Sequence, residues 1–278
     1  MRAASLAALV VAAASARAPP PLPPAFAMPW LCLEVCGDSA AAIAADVAQA
    51  VAEAGVFRVA AFERFNLGPN STLVRNNLTD VIAPLARAGV VTLAQVSSFP
   101  YPPAFLGWMR QLFADPQPFI DACVAAAKED GFSGFNIDWE PPSSDHPTAA
   151  DAAAYAAFLD ALARALHAHG LLVTVDVATW SKIWNLTAIG ATAVDAVFTM
   201  NTYTAGDALW LEQLQEDVAA VPLGKLVVGL ETTRSGNQPY NETDLALRFD
   251  AIKAAGVRRV GLWSAPVPAT FIPYLAAL

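Results

Sequence analysis

The sequence predicts an α/β fold built as a single (β/α)8 TIM barrel. Three observations carry this. Eight short apolar runs alternate with helix-compatible stretches, over the roughly 250 residues such a barrel needs. The runs are nearly continuous in apolar side chains, as strands are when both faces are covered. The loop after the first run reads Cys36-Gly37-Asp38-Ser39, without the Gly-x-Gly-x-x-Gly turn that a doubly wound sheet more often carries there.

The chain opens with a targeting pattern. Arg2 gives a positive start, residues 3–14 an apolar stretch, and Ala14-Ser15-Ala16 a small-residue cleavage site, which predicts a signal peptide over 1–16. That stretch is too short to cross a bilayer, and no later run reaches about 18 uninterrupted apolar residues, so no membrane anchor is expected. The protein is expected to be secreted or routed to a lysosome or vacuole. Residues 17–28, rich in proline and alanine, read as a disordered lead-in, leaving 29–278 as one domain. Its predicted strands are 31–35, 57–62, 90–96, 132–138, 171–177, 194–200, 226–230 and 260–263. Helical stretches fall at 39–53, 79–88, 103–130, 149–168, 208–219 and 242–255, with a last one at 269–277 and only a short turn or helix in 180–189. Gly89, Gly131, Gly170 and Gly256 stand just past four of these helices, where C-terminal caps belong.

A formal net charge of -9 argues against nucleic acid or an anionic membrane as partner and suits an uncharged substrate. No Cys/His group has metal-ligand spacing; His146, His167 and His169 are scattered, and neither metal nor cofactor is expected. Cys32 and Cys36 lie four apart on an expected strand, with Cα atoms about 13 Å apart, too far for a disulfide. With Cys123 they read as buried small hydrophobes. Four Asn-x-Ser/Thr sequons begin at Asn70, Asn77, Asn185 and Asn241, as in a glycoprotein of the secretory route.

The chemistry concentrates in Ser133-Gly134-Phe135-Asn136-Ile137-Asp138-Trp139-Glu140. Strand side chains alternate, so Asn136, Asp138 and Glu140 share one face and Phe135, Ile137 and Trp139 the other. Pro141-Pro142 end the strand. Carboxylates aligned at the C-terminal end of a barrel strand sit where active sites form, and burying them is costly without a partner or a task. A neighbouring negative charge and partial burial both favour the protonated form of Glu140, which can then act as a general acid.

This stretch resembles the Asp-Gly-x-Asp-x-Asp-x-Glu signature of glycoside hydrolase family 18, the chitinase-like family. Residues 119–132 resemble the helix before that signature. Val197-Phe198-Thr199-Met200-Asn201-Thr202-Tyr203 resembles the sixth-strand segment ending in tyrosine, and Val260-Gly261-Leu262-Trp263 the eighth strand ending in tryptophan. The resemblance implies that 29–278 is a catalytic domain hydrolysing β-linked N-acetylglucosamine in chitin oligosaccharides or N-glycan cores. It implies substrate-assisted catalysis. Glu140 protonates the glycosidic oxygen and the substrate's own acetamido carbonyl attacks the anomeric carbon. Asp138 orients the acetamido N–H and stabilises the developing charge, Tyr203 hydrogen-bonds the acetamido oxygen, and Trp263 forms the sugar floor. Asn136, Met200 and Glu231 complete the candidate site, with core packing the favoured role for Met200.

Ser133 and Asn136 replace two acids of that signature, and Thr204 stands where an aspartate usually follows the tyrosine. Asn136 is similar in this respect to di-N-acetylchitobiase-like members. It cannot titrate, but could donate a hydrogen bond to Asp138 and hold it ionised. Two other readings stay open. A covalent retaining glycosidase would use Glu140 as acid/base and Glu231, at the end of the seventh strand, as nucleophile; Glu231 could otherwise bind substrate hydroxyls or pair with Arg234. A non-catalytic carbohydrate-binding lectin on the same barrel is the third, although such members typically lose the acid that Glu140 retains.

Overall fold

The computed structural model describes residues 19–204, 206–234 and 238–278; the targeting segment expected over 1–16 lies outside the described residues. The strands are β1 (Phe26–Leu31), β2 (Val59–Gly68), β3 (Thr72–Arg75), β4 (Val91–Ser97), β5 (Gly134–Asp138), β6 (Leu172–Val177), β7 (Ala196–Thr199), β8 (Leu226–Glu231) and β9 (Arg259–Trp263). The helices are α1 (Ala40–Ala52), α2 (Ile82–Arg87), α3 (Phe105–Ala114), α4 (Gln117–Asp130), α5 (Ala149–His167), α6 (Leu186–Gly190), α7 (Asp207–Ala220), α8 (Glu242–Ala254) and α9 (Ile272–Ala276). Strand order is β1-β9-β8-β7-β6-β5-β4-β2, and β1 also pairs with β2. Eight parallel strands therefore close into a barrel, with no free edge. β3 stands outside it, paired antiparallel to the overhanging end of β2.

Period-two alternation divides the apolar side chains into two bodies. Phe26, Met28, Val59, Leu93, Leu172 and Val227 pack inside the barrel. Phe135, Ile137 and Trp139 face outward into the larger core between barrel and helices. Trp139 stacks there on Phe158, ring centroids 5.4 Å apart, and on Tyr155 at 5.9 Å. The barrel interior turns polar toward the strands' C-terminal ends, where Glu63, Gln95, Asn136, Asp138 and Asp176 are all buried.

Helix boundaries follow local chemistry. Ser39 caps α1 through its side chain, and Thr148 and Asp151 form a reciprocal capping box on α5. The four expected cap glycines adopt left-handed φ of 74° to 78°. The single helix expected over 103–130 is two, α3 and α4. Asp115 precedes Pro116 and sits at φ -145°, ψ 82°, because the proline ring excludes α geometry from the residue before it.

The start of the domain also needs correction. The first strand is Phe26–Leu31, not 31–35, and it takes in the end of the supposed disordered lead-in, 17–28. Leu22 is buried against the barrel interior. Pro29 lies within β1 opposite Leu262, and a proline there disguises a strand. The chain then turns at Leu33, φ 55°, into one turn of 3-10 helix, Leu33–Cys36. That turn rises far less per residue than a strand, so the Cα atoms of Cys32 and Cys36 are 5.5 Å apart and the two form a disulfide. The expected separation of about 13 Å holds only for a strand; across this turn the two cysteines are close enough to bridge. Cys123 is the buried free thiol.

Candidate active site

Strand register builds the mouth of the barrel. Glu63 of β2 lies level with Gln95 of β4, Gln95 with Asn136 of β5, and Asn136 with Thr174 of β6. Asp138 sits one step higher, level with Ser97. Asn136, Asp138 and Glu140 share the inward face that alternation gives them.

The hydrogen bonds tie these side chains across strands. Gln95 Nε2 donates to Asp138 Oδ2 at 2.8 Å. Asn136 Nδ2 donates to Asp176 Oδ1 at 2.9 Å and to Thr174 Oγ1 at 3.1 Å. The indole N–H of Trp30 donates to Asn136 Oδ1 at 3.3 Å. The expected bond from Asn136 to Asp138 is therefore absent. Trp30 and β6 hold both ends of the Asn136 amide, and Gln95 serves Asp138 instead. Asp138 Oδ1 is buried without a hydrogen-bond partner among the described residues.

Glu140 is half-buried just past β5. Its backbone N–H donates to Ser98 Oγ at 3.0 Å, and the Tyr101 hydroxyl donates to Glu140 Oε1 at 3.4 Å. Burial pushes the Glu140 carboxyl up, opposed by the Tyr101 bond. Asp138 is pushed well up, first by burial and then by the charges of Asp176, Glu140 and Glu63, with Gln95 opposing. Burial raises Glu63 to about 8 against the nearby Ser97 hydroxyl. Four carboxyls thus share one low-dielectric mouth, a setting that favours retained protons.

Tyr203 follows β7 and is half-buried. Burial and the charges of Asp176, Asp138, Glu231 and Glu140 hold its phenol protonated, so it belongs to the same electrostatic site. Gly229 makes room for it: a Cβ there would overlap the Thr199 carbonyl and lie 2.9 Å from the Tyr203 ring. Trp263 ends β9, half-buried, its ring 6.3 Å from that of Trp30. Gly261 lets Trp30 lie across the barrel, since a Cβ would come within 2.6 Å of its ring. Glu231 ends β8 level with Trp263, and burial raises its carboxyl. It does not pair with Arg234, whose guanidinium is engaged by Asp244. Met200 is buried in the core.

Asp176, Gln95, Glu63, Trp30 and Tyr101 were not singled out from the sequence. Gln95 and Asp176 were legible in principle, each being a polar residue at an inward position of a mostly apolar run, whereas Glu63 falls just past the strand expected over 57–62. The mouth also carries exposed aromatics: Phe99 against Tyr101, ring centroids 5.9 Å apart, and Trp180, 55% exposed and edge-on to buried Trp184 at 5.6 Å. A cleft of about 470 Å³ between the loops after β5 and β6 is lined by His146, Thr148, Trp180 and Lys182 among others.

No protein-family model matches the chain, and no curated protein matches it in sequence. Solved structures do match. The chain is similar to the chitinase of Chromobacterium violaceum ATCC 12472, at 17% identity, 90% of this chain, 98% of that one and TM-score 0.72. It is similar to the spore cortex-lytic enzyme SleL of Bacillus megaterium QM B1551, at 15% identity, 91% of this chain, 73% of that one and TM-score 0.74. It is similar to the Group IV chitinase of Ostrinia furnacalis, at 12% identity, 91% of this chain, 99% of that one and TM-score 0.72. At these identities the likeness is one of fold: the chain is a single (β/α)8 barrel of the form found in those chitinases.

Proposed function

We propose that this protein is a glycosidase of the glycoside hydrolase family 18 type, cleaving β-linked N-acetylglucosamine with retention of configuration. The observation that carries the reading is the placement of Asp138 and Glu140 on one inward face at the C-terminal mouth. Asp138 is anchored by Gln95, with Oδ1 unpartnered among the described residues, and Glu140 is favoured in its protonated form. The chitinase and cortex-lytic barrels of the same shape support it by analogy of fold.

In this reading Glu140 gives its proton to the glycosidic oxygen as the C1–O bond breaks. The acetamido carbonyl oxygen bonds to C1, forming an oxazolinium ion. Asp138 Oδ1 accepts the acetamido N–H and offsets the developing positive charge. Water then attacks C1 as the C1–O bond of the oxazolinium breaks and the acetamido group re-forms, Glu140 takes the water's proton, and the β-anomer is released. Tyr203 donates to the acetamido oxygen and Trp263 floors the sugar. Trp180, held edge-on by Trp184, carries a further sugar of the chain. The expected signal peptide and four exposed sequon asparagines, Asn70, Asn77, Asn185 and Asn241, support passage through the secretory route.

The test is hydrolysis of fluorogenic chito-oligosaccharides and N-glycans by the purified protein, with allosamidin as competitor, since the Ostrinia furnacalis enzyme has been solved in complex with it. Cleavage blocked by allosamidin supports the reading. Binding of these glycans without cleavage favours the lectin. Trapping of a glycosyl-enzyme that Glu231→Gln abolishes favours the covalent scheme.

A further inference from the structure

We propose that Tyr101, on the loop after β4, is a positioning residue: its hydroxyl holds Glu140 Oε1, so that Oε2 presents the proton to the glycosidic oxygen. The inference rests on the glycosidase reading and deepens it. The Tyr101 hydroxyl donates to Glu140 Oε1 at 3.4 Å. Among the described residues it is the one hydrogen bond that the Glu140 carboxyl accepts. The contact is long for an O–H donor, as catalytic hydrogen bonds often are before substrate arrives. The loop is built to keep the hydroxyl there. The Tyr101 N–H donates to the Ser98 carbonyl at 2.8 Å, closing a turn. Ser98 hooks that turn onto the acid's own segment. Its N–H donates to the Asp138 carbonyl at 3.0 Å, and its Oγ accepts the Glu140 N–H at 3.0 Å. On the other side, Asn66 Nδ2 of β2 donates to the Phe99 carbonyl at 2.7 Å.

The backbone of Tyr101 lies at φ 59°, a left-handed conformation unfavourable for so bulky a side chain. Such strain persists where the surroundings over-determine it, and it gathers at functional sites. Tyr101 is 46% exposed, so core packing does not account for the conformation; the reach to Glu140 does. The chemistry suits both steps of the reaction. Burial and the charges of Glu140, Asp138 and Glu63 keep the phenol protonated, so Tyr101 stays a donor throughout. With Oε1 occupied, the proton of neutral Glu140 sits on Oε2 and passes to the glycosidic oxygen as the C1–O bond breaks. The carboxylate left behind accepts the Tyr101 bond more strongly than the acid does. This offsets the burial that raises Glu140 and sustains the base that takes the proton of the attacking water. Tyr101 itself neither gains nor loses a proton.

The test compares wild type with Tyr101→Phe, which removes the hydroxyl and leaves the ring against Phe99. Two substrates are used: a chito-oligosaccharide, and a dinitrophenyl β-glycoside of the same sugar, whose leaving group departs with little protonation. Tyr101→Phe should lose roughly 10-fold in kcat/KM on the oligosaccharide and less than about twofold on the aryl glycoside. The alkaline limb of kcat/KM on the oligosaccharide should move to higher pH by about half a unit or more, because a bond that favours the carboxylate is gone. Equal losses on the two substrates overturn the proposal, as does an unmoved alkaline limb. A second readout needs no substrate: carbon-detected NMR titration of the side-chain carboxyls. Glu140 should titrate higher in Tyr101→Phe, and an unmoved Glu140 overturns the contact. A wild type that cleaves neither substrate defeats the glycosidase reading and the catalytic role with it. Failure of the proposal alone looks different: wild type cleaves both substrates and Tyr101→Phe matches it.

Discussion

Gln95 Nε2 donates to Asp138 Oδ2 across 2.8 Å, from β4 to β5, in the layer just beneath Glu140. Burial and three neighbouring acids resist a charge on Asp138, and this bond opposes them. A hydrogen bond to a buried carboxylate is worth about 1.5–3 kcal/mol. Gln95→Leu should therefore lower kcat roughly 10- to 100-fold and raise the pH at which Asp138 ionises, with KM little changed. Steady-state kinetics across pH checks both.

Glu63 makes stability fall with rising pH. Its carboxyl titrates near 8 in the folded chain against an ordinary 4.5. Between those values the folded state keeps a proton that the unfolded chain has lost, so stability is full below about 4.5 and declines toward 8. The displacement corresponds to about 5 kcal/mol at most. Glu63→Gln should raise the melting temperature at pH 8 by several degrees and leave it nearly unchanged at pH 4.5. Calorimetry at the two pH values reads the difference.

The Cys32–Cys36 bridge closes a short loop after β1. Chain-entropy reasoning gives a loop of this length about 2 kcal/mol. The double variant Cys32→Ser, Cys36→Ser should lose about that much in denaturant unfolding. Thiol titration of the unfolded wild type without reductant should find Cys123 alone.

Trp263 and Trp180 should separate by substrate length. Trp263→Ala removes the floor of the reacting sugar and should raise KM roughly tenfold for every substrate, about 1.4 kcal/mol. Trp180→Ala should raise KM only for substrates long enough to reach the cleft by His146 and Lys182. A series of chito-oligosaccharides of increasing length distinguishes them.

Much of this was legible in one strand. Period-two alternation brought Asn136, Asp138 and Glu140 to the mouth and sent Trp139 into the outer core, because those polar residues cluster within a single run. Gln95 and Asp176 obey the same alternation, but each is flanked by apolar residues and carries little signal by itself, while Glu63 stands beside Arg64, past the strand expected over 57–62. Which amide meets which acid depends on register between strands far apart in sequence, and here Gln95, not Asn136, reached Asp138. The lead-in failed for a local reason: Pro29 sits inside β1, and its neighbours pair with β9 regardless. The disulfide failed with it, since a turn rather than a strand follows Leu31.

The most direct test of the central claim follows a β-linked chito-oligosaccharide by proton NMR in real time, with wild type and with Glu140→Gln. Wild type should release the β-anomer first. Glu140→Gln should lose at least about 100-fold in rate while melting within about 2 °C of wild type, as a near-isosteric change of a half-buried side chain should. Release of the α-anomer, or undiminished turnover in Glu140→Gln, would contradict it.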